Sequence, residues 1–282
     1  MTGAIYLVAT PIGNLEDITL RGLRILKEAG LIACEDTRQT RKLLEHYQIH
    51  KPLVSCHEHN EAERAEELVK KALAGEKIAV VSDAGMPGIS DPGYRVVTRA
   101  IQAGVPVIPV PGPVAIEAAI AACGLPAESF HFGGFLPAKR GQRRKVLQSL
   151  RAETAPLVFY EAPHRIVDTL EDVIETLGPR PVAVARELTK VHEEFLRGPA
   201  PVVLDELRSR SAVKGEITLI IGRGSEPSAV PAGVAGSIGR RMEELMREQA
   251  LDHMTALKQA ARERGLSKRE AYRQWQKAKE EE

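Results

Sequence analysis

One segment of the chain, Ser82-Asp83-Ala84-Gly85-Met86-Pro87-Gly88-Ile89-Ser90-Asp91-Pro92-Gly93, forms a predicted loop between a strand and a helix. The apolar run Lys77-Ile78-Ala79-Val80-Val81 before it indicates a buried strand, and the apolar spacing after it predicts a helix that begins near Asp91 and Pro92. Connections from a strand to a helix usually take about two to six residues. In open α/β sheets, ligands bind outside the carboxyl ends of the strands. We therefore interpret this segment, called the central loop below, as a ligand-binding loop of an α/β fold.

Similar strand, loop and helix patterns recur on both sides of the central loop. Predicted strands lie near residues 4–9, 31–34, 52–56 and 105–110, and then near residues 130–137, 157–160, 181–185 and 215–222. The sequence thus predicts an N-terminal α/β domain over residues 1–112 and a second α/β domain over residues 113–224. Residues 225–236, rich in Gly, Pro, Ser and Ala, predict a linker, and residues 237–282 predict a small helical domain. A helix-turn-helix-like unit fits residues 265–273, and an ordinary helical tail fits their spacing equally well.

The composition restricts the possible partners. The 282 residues carry a formal net charge of only +1, so no global field draws the protein to a polyanion. Contact with nucleic acid would need a local patch, and residues 139–145 are the densest basic run of the chain. Cys34, Cys56 and Cys123 form no CxxC pair, which favours buried free thiols in a reducing compartment. No apolar run reaches the roughly 18 residues of a membrane span, and the N-terminus lacks a signal-peptide pattern, so we expect a cytoplasmic protein without a membrane partner.

Two common kinds of site are disfavoured by their motifs. The chain contains no GxGxxG sequence, which argues against a dinucleotide-binding Rossmann site. His57-Glu58-His59 lacks the HExxH spacing of a zinc helix, and in an extended segment the two histidines would point to opposite faces. We therefore expect no metal site here, and a structural or substrate-facing role for these polar residues.

Seven motifs, in order along the chain, resemble the ribosomal RNA methyltransferases of the tetrapyrrole (corrin/porphyrin) methylase superfamily. They are residues 8–15, 35–38, 57–61, 81–93, 134–137, 160–165 and 185–190. The resemblance covers roughly residues 4–222, and the C-terminal segment is similar to the family's small helical domain. The chain departs from the family at Met86-Pro87-Gly88, where Thr-Pro-Leu is expected, a change that a loop acting through its backbone can tolerate.

The resemblance implies two α/β domains with S-adenosylmethionine (AdoMet) in the cleft between them, no metal, and a homodimer. It also implies 2′-O-methylation of a cytidine in small-subunit (16S) ribosomal RNA. The family's AdoMet contacts correspond to Pro11, Asp83, Ala84, Gly85, Ile89, Ser90, Asp91, Pro111, Gly112, Ala115, Tyr160, Glu161, Arg186, Glu187, Leu188, Gly215, Glu216 and Ile217.

Methyl transfer from a sulfonium depends mainly on positioning, and a general base can assist because a ribose hydroxyl is a weak acid. The candidate bases are Glu187, Lys190, Glu161 and His57, and the sequence does not choose among them. Basic residues would position the RNA through its phosphates. The candidates for this role are Lys139, Arg140, Arg143, Arg144 and Lys145, with Lys268 and Arg269 in the C-terminal helices.

Two alternatives stay open at this point. One is methylation of a small molecule such as a tetrapyrrole, which the basic run and the C-terminal helices make less attractive. The other is a nucleotide-sensing RNA-binding protein without catalysis. Methyl transfer from labelled AdoMet to isolated ribosomal subunits separates them.

Overall fold

The computed structural model of the chain describes residues 3–223, 242, 245–247, 251–263, 271–273 and 275. Two compact units divide the chain, Met1–Gly224 and Ser225–Glu282. The first unit contains two five-stranded sheets that share no strand. Two α/β halves and a separate C-terminal segment agree with the predicted fold class, while the boundary at residue 112 stays a prediction.

The first sheet is entirely parallel, with strand order β3-β2-β4-β1-β5. Its strands are β1 (Ala4–Val8), β2 (Leu31–Cys34), β3 (Leu53–Ser55), β4 (Lys77–Val81) and β5 (Val107–Val110). The helices that cover it are α1 (Leu20–Glu28), α2 (Thr37–His46), α3 (Glu61–Leu73) and α4 (Tyr94–Gln102). Because β2 and β4 are buried on both faces, they appear in the sequence as continuous apolar runs.

Local capping sets the start of two of these helices. The Thr19 hydroxyl accepts a hydrogen bond from the Gly22 N–H at 2.9 Å, and an Asp36 carboxylate oxygen accepts one from the Arg38 N–H at 2.8 Å. Helix α4 begins at Tyr94, two residues after the expected start near Asp91 and Pro92. The cause is Gly93, whose φ of 141° is not helical.

The second sheet is mixed, with strand order β6-β7-β10-β8-β9. Its strands are β6 (His131–Phe135), β7 (Leu157–Glu161), β8 (Pro181–Arg186), β9 (Glu194–Pro199) and β10 (Ile217–Ile221). Only β6 and β7 pair in parallel, and the other pairs are antiparallel. The accompanying helices are α5 (Ala115–Ala122), α6 (Arg140–Ser149), α7 (Ile166–Leu177) and α8 (Ala200–Arg208).

Strand β9 and helix α8 were not predicted from the sequence. Strand β9 lies at the edge of the sheet, and its sequence, Glu194-Phe195-Leu196-Arg197-Gly198-Pro199, carries two charges and ends in Gly-Pro. Such residues are typical of edge strands and turns, which makes the strand signal weak.

One apolar cluster connects the two sheets. It brings Ile12, from the loop after β1, together with Ile116 of α5 and Leu188 of the loop after β8. The core of the second sheet includes Phe159, which is fully buried. Burial of such a side chain stabilises the folded protein by about 1.5–3 kcal/mol relative to leaving it exposed. Gly133 gives this ring its space, since a Cβ there would lie 2.4 Å from Phe159 Cε1.

The C-terminal unit is described only in part. Helix α9 covers His253–Glu263, and its Leu257 is buried in a cluster with Met242, Leu245 and several alanines. The predicted linker, and the predicted helix-turn-helix except residues 271–273, lie outside the described residues. In the part of the chain that the structure describes, no helix is long and apolar enough to cross a membrane.

Candidate functional site

Backbone hydrogen bonds attach the start of the central loop to the loop after β1. The Thr10 N–H donates to the Gly85 carbonyl, and the Gly85 N–H donates to the Thr10 carbonyl, each at 2.9 Å. The Thr10 hydroxyl adds a bond to the Ser82 carbonyl at 3.1 Å. Gly85 adopts a φ of 82°, which glycine reaches without strain. The loop thus presents main-chain groups at fixed positions over the carboxyl end of the first sheet.

Glu61, the first residue of α3, holds the far end of the central loop. Its Oε1 accepts hydrogen bonds from the Gly93 N–H at 2.8 Å and the Arg95 N–H at 2.9 Å. These donors lie at the start of α4, where the cap residue Gly93 has no side chain to satisfy them. A buried carboxylate at a helix N-terminus is also favoured by the helix dipole. This role was not predicted, and its only signal in the sequence is the place of Glu61 in the fifth position of residues 57–61.

A cavity of about 410 Å³ lies between the central loop and the second sheet. Many of the predicted AdoMet contacts line it, namely Asp83, Ala84, Gly85, Ile89, Ser90, Asp91, Ala115, Tyr160, Glu161, Leu188, Gly215, Glu216 and Ile217. Their convergence from distant parts of the chain is the structural result, and their contact with AdoMet stays a prediction.

Five predicted AdoMet contacts do not line the cavity. Pro11 is buried in the loop after β1, and Pro111 and Gly112 belong to the turn before α5. The Arg186 guanidinium points away, since its Nε donates to Glu194 Oε2 at 2.9 Å and its Nη1 to the Lys214 carbonyl at 3.1 Å. Glu187 supports the wall from behind. The cofactor role of these residues stays a prediction without support from the cavity.

The cavity is completed by residues that the sequence analysis did not select. Some lie beside selected ones in the same motifs, namely Ile12, Met86, Ala162, Pro163 and Ala185. Their position next to selected residues was the signal that could have found them. The others are Phe135, whose motif at residues 134–137 contains no selected residue, and Val114 and Thr218, which come from strand or helix ends with no distinctive chemistry.

Carboxylates cluster at one side of the cavity. Asp83 Oδ1 accepts a hydrogen bond from the Asp36 N–H at 3.0 Å, which joins the loop after β2 to the central loop. Burial, together with the negative charges of Glu35 and Asp83, raises the pKa of Asp91 to about 6. Burial and the charge of Asp83 also raise the pKa of Glu35. Asp91 therefore titrates close to neutral pH, which is unusual for a carboxylate.

Glu161 and Tyr160 form the wall opposite the central loop. The Glu161 side chain is fully buried, and its oxygens accept hydrogen bonds from Thr169 Oγ1 at 2.6 Å, Arg165 Nη2 at 3.3 Å and the Ala162 N–H at 2.8 Å. Burial, with a smaller effect of the Asp91 charge, raises the pKa of Tyr160 to about 12. Tyr160 therefore keeps its proton at neutral pH, and Glu161 is engaged by its neighbours.

A second ionic group supports the wall at β10. Lys190 Nζ lies 2.9 Å from Glu187 Oε1 and 3.0 Å from Glu216 Oε2. Glu187 Oε1 also accepts the Glu216 N–H at 3.0 Å. Gly215 is needed here, because it has a φ of 92° and a Cβ would lie 2.3 Å from Glu187 Cγ.

His57 lies between β3 and a turn at residues 58–60, so His57 and His59 do not share the extended segment that the sequence suggested. The ring centroids of His57 and His59 are 6.0 Å apart, because the chain turns through residues 58–60 to enter α3. Neither residue lines the cavity. Among the described residues, no three His, Cys, Asp or Glu side chains converge as a metal site would require. Cys34, Cys56 and Cys123 are free and buried, as the sequence predicted.

The basic run forms the start of α6, and ion pairs to α7 engage much of it. Arg143 is buried and its Nη2 lies 2.7 Å from Oδ2 of Asp172, which is also buried. The same carboxylate receives Arg140 Nε at 2.9 Å, and Arg144 Nη1 lies 2.9 Å from Glu175 Oε2. Arg140, Arg144, Lys139 and Lys145 are exposed, whereas Arg143 faces away from solvent. Lys268 and Arg269 lie outside the described residues.

Comparison with known proteins gives a consistent result. The family model described as Tetrapyrrole (Corrin/Porphyrin) Methylases matches residues 4–203. A Halalkalibacterium halodurans protein named "Ribosomal RNA small subunit methyltransferase I" is 48% identical over 278 residues, covering 96% of this chain and 93% of that protein. A Thermotoga maritima protein of the same name is 47% identical over 220 residues, covering 78% of this chain and 98% of that protein.

A solved structure shares the fold at lower identity. It is uroporphyrin-III C-methyl transferase from Thermus thermophilus complexed with S-adenyl homocysteine, with a TM-score of 0.55 and 21% identity. The match covers 77% of this chain and 97% of that one. The fold described above is thus the one found in that methyltransferase.

Proposed function

The chain belongs to the tetrapyrrole (corrin/porphyrin) methylase family, and from this membership we propose its activity. It is an AdoMet-dependent methyltransferase that methylates the ribose 2′-hydroxyl of a cytidine in small-subunit (16S) ribosomal RNA. Its curated relatives are named for that class of substrate, and the match to one of them covers 93% of that protein's length. The observation that carries the proposal is the cavity under the central loop.

The lining of this cavity fits AdoMet. When bound, AdoMet supplies the methyl group on a positively charged sulfonium, and its amino acid part carries an ammonium group. Four carboxylates line the cavity, from Asp83, Asp91, Glu161 and Glu216, while no Lys or Arg does so among the described residues. That charge pattern suits a cationic ligand and disfavours a pyrophosphate. Fixed amides and carbonyls of the central loop can bind the ligand's polar edges, as Gly85 permits close approach.

The residues of this chain would contribute mainly by positioning. The central loop is held at its start by Thr10 and at its end by Glu61, so the cavity wall is preorganised. Asp91 is the lining carboxylate best suited to accept the proton of the hydroxyl. With a pKa raised to about 6 by burial and by the nearby Glu35 and Asp83, it is ionised at neutral pH and more basic than an ordinary carboxylate.

The other candidate bases have less suitable surroundings. A hydrogen bond from Lys190 lowers the pKa of Glu187. Burial opposes the charge on Lys190, but hydrogen bonds to Glu187 and Glu216 outweigh it and raise the pKa, so Lys190 stays protonated. Glu161 is fully engaged by hydrogen bonds, and His57 does not line the cavity. We therefore rank Asp91 first for the base.

RNA would meet the protein at the exposed part of the basic run. Lys139, Arg140, Arg144 and Lys145 can contact phosphates, and we leave Arg143 out because its guanidinium is buried against Asp172. Lys268 and Arg269 remain proposed phosphate contacts of the C-terminal unit. A cytoplasmic location follows from an rRNA substrate.

A homodimer is also part of the proposal. Three large apolar side chains are strongly exposed on the adjacent helices α3 and α4. They are Leu73 at the end of α3 and Tyr94 and Ile101 of α4, each with 62–73% of its area exposed. Contiguous exposed apolar patches mark protein contacts, and we propose that these three side chains form such a patch. Sedimentation of the purified protein tests this state, and a monomer at micromolar concentration would reject it.

Two measurements test the activity. Isolated small ribosomal subunits are incubated with labelled AdoMet, and label should appear in the rRNA. Calorimetry then compares Gly85→Val with Gly88→Val. Both glycines have φ values above 80°, but only Gly85 lines the cavity, so only the first variant should lose AdoMet affinity.

The outcomes separate the alternatives. Label on a tetrapyrrole substrate but not on rRNA would favour the small-molecule methylase. AdoMet binding without transfer to either substrate would favour a sensing protein. Equal AdoMet affinity in the two folded glycine variants would place the cofactor elsewhere.

A further inference from the structure

An exposed aromatic ring stands at the rim of the cavity. Phe135 exposes 60% of its area and lines the cavity. The other strongly exposed aromatic side chains among the described residues, Tyr94, Phe130 and Tyr272, do not line it. Exposure of a large apolar ring to water is unfavourable. A ligand that covered the ring at the cavity opening would therefore gain binding free energy.

The local structure directs this ring outward and holds it there. Strand β6 has a register shift between Phe132 and Phe135, and Gly134 adopts a φ of 63°. The next residue, Leu136, is buried, and its carbonyl accepts a hydrogen bond from Arg165 Nη2 at 2.6 Å. The ring of Phe135 leans on that of Tyr160, with centroids 5.4 Å apart. The aromatic face is therefore presented by a supported segment of chain.

The central loop supplies a second apolar group at the same place. A Cβ on Gly134 would lie 3.5 Å from Ser90 Oγ, so the two segments meet there. Ile89, next to Ser90, is 42% exposed and also lines the cavity. Phe135 of β6 in the second sheet and Ile89 of the central loop, which follows β4 of the first sheet, together form an apolar rim at the cavity opening.

We propose that Phe135 stacks on the base of the target cytidine while its ribose enters the cavity. The inference rests on the proposed function, because it places the base attached to the reacting ribose. A 2′-hydroxyl can reach a methyl group in the cavity only if its own base lies within a few ångströms of the opening. Bases of unpaired nucleotides are commonly held by stacking on aromatic side chains, and every base offers a face for this contact. Ile89 completes the apolar surface for the base.

The test compares substitutions at Phe135 with a matched one nearby. Phe135→Ala and Phe135→Leu remove the ring, Phe135→Tyr keeps it, and Phe130→Ala removes an exposed ring outside the cavity. Loss of one base stack should lower kcat/KM on small subunits by roughly 5- to 150-fold in the first two variants. The other two should stay within about twofold of wild type, and AdoMet affinity should not change in any of them.

A second readout uses subunits reconstituted with rRNA that lacks the target base. Because the ring and the base would act as one contact, Phe135→Ala should lower binding of intact subunits but not of subunits without the base. Equal losses on both substrates would overturn the proposal, as would full activity of Phe135→Leu. A loss of AdoMet affinity in Phe135→Ala would assign the ring to the cofactor instead. If wild type transfers no methyl group to rRNA, the proposed function itself fails, which differs from each of these results.

Discussion

Replacing Asp172 should destabilise the protein far more than replacing its partner Arg143. Both side chains are almost fully buried, at 0% and 3% exposure. Asp172→Leu leaves the Arg143 guanidinium buried with only a weak bond to the Ala138 carbonyl at 3.4 Å. Removing one partner of a buried pair costs about 3–5 kcal/mol. In Arg143→Met the remaining carboxylate keeps Arg140, whose Nε lies 2.9 Å away, so the cost should be smaller.

The assay is urea and thermal unfolding followed by circular dichroism. For a domain of this size, a loss of 3–5 kcal/mol corresponds to a fall in Tm of roughly 6–20 °C. Arg143→Met combined with Asp172→Leu should recover most of the loss, because a packed apolar pair often equals a buried ion pair. Glu171→Leu, at the neighbouring half-buried position whose partner Arg208 is exposed, is the control and should cost less than about 1 kcal/mol. A cost below 1 kcal/mol for Asp172→Leu, or equal costs for the two single variants, would show that Asp172 does not hold the Arg143 charge as described.

Three further predictions concern the site. Gly215→Ala should cost about 1–2 kcal/mol of stability from its positive φ alone and should weaken AdoMet binding, because the new Cβ would displace Glu187; unchanged calorimetry would count against it. Since the folded-state pKa of Asp91 is raised to about 6, its ionisation disfavours the fold as pH rises from about 4 through 6. Asp91→Asn should therefore raise Tm at pH 8 with a gain that fades by pH 4; a pH-independent gain in Tm would argue against this. The same variant should lower the rate and remove the loss of activity that we expect for wild type below pH 6. Replacing Lys139 and Lys145 with Ala should reduce the salt slope of RNA binding by about 1.4, at roughly 0.7 per phosphate contact, with no change in AdoMet affinity; an unaltered slope would place the RNA on another surface.

The sequence predicted the elements that position the cavity because their signals are local. The central loop is long and rich in Gly and Pro between a β-branched run and a helical pattern, and these features need no distant partner to be recognised. Parallel strands place their following loops at one edge of a sheet, so the meeting of the loop after β2, at Asp36, with the central loop, at Asp83, could be predicted.

The features that were not predicted depend on residues that lie far apart in the sequence. Glu61 binds the Gly93 N–H, 32 residues away, and nothing local indicates that a helix without a capping side chain borrows one from its neighbour. Arg143 appeared as part of a solvated basic run because Asp172, 29 residues away, is invisible to a local pattern. A run of charged residues in the sequence does not show which of its side chains are buried in the fold.

The position of the transferred methyl group bears most directly on the function. Small-subunit rRNA is isolated after reaction with labelled AdoMet, digested to nucleosides and separated by chromatography. We expect the label in 2′-O-methylcytidine, with none when Asp83 and Asp91, which line the cavity, are both replaced by Ala. Label on a base carbon or nitrogen, or label that persists in that double variant, would contradict methyl transfer to a ribose from this cavity.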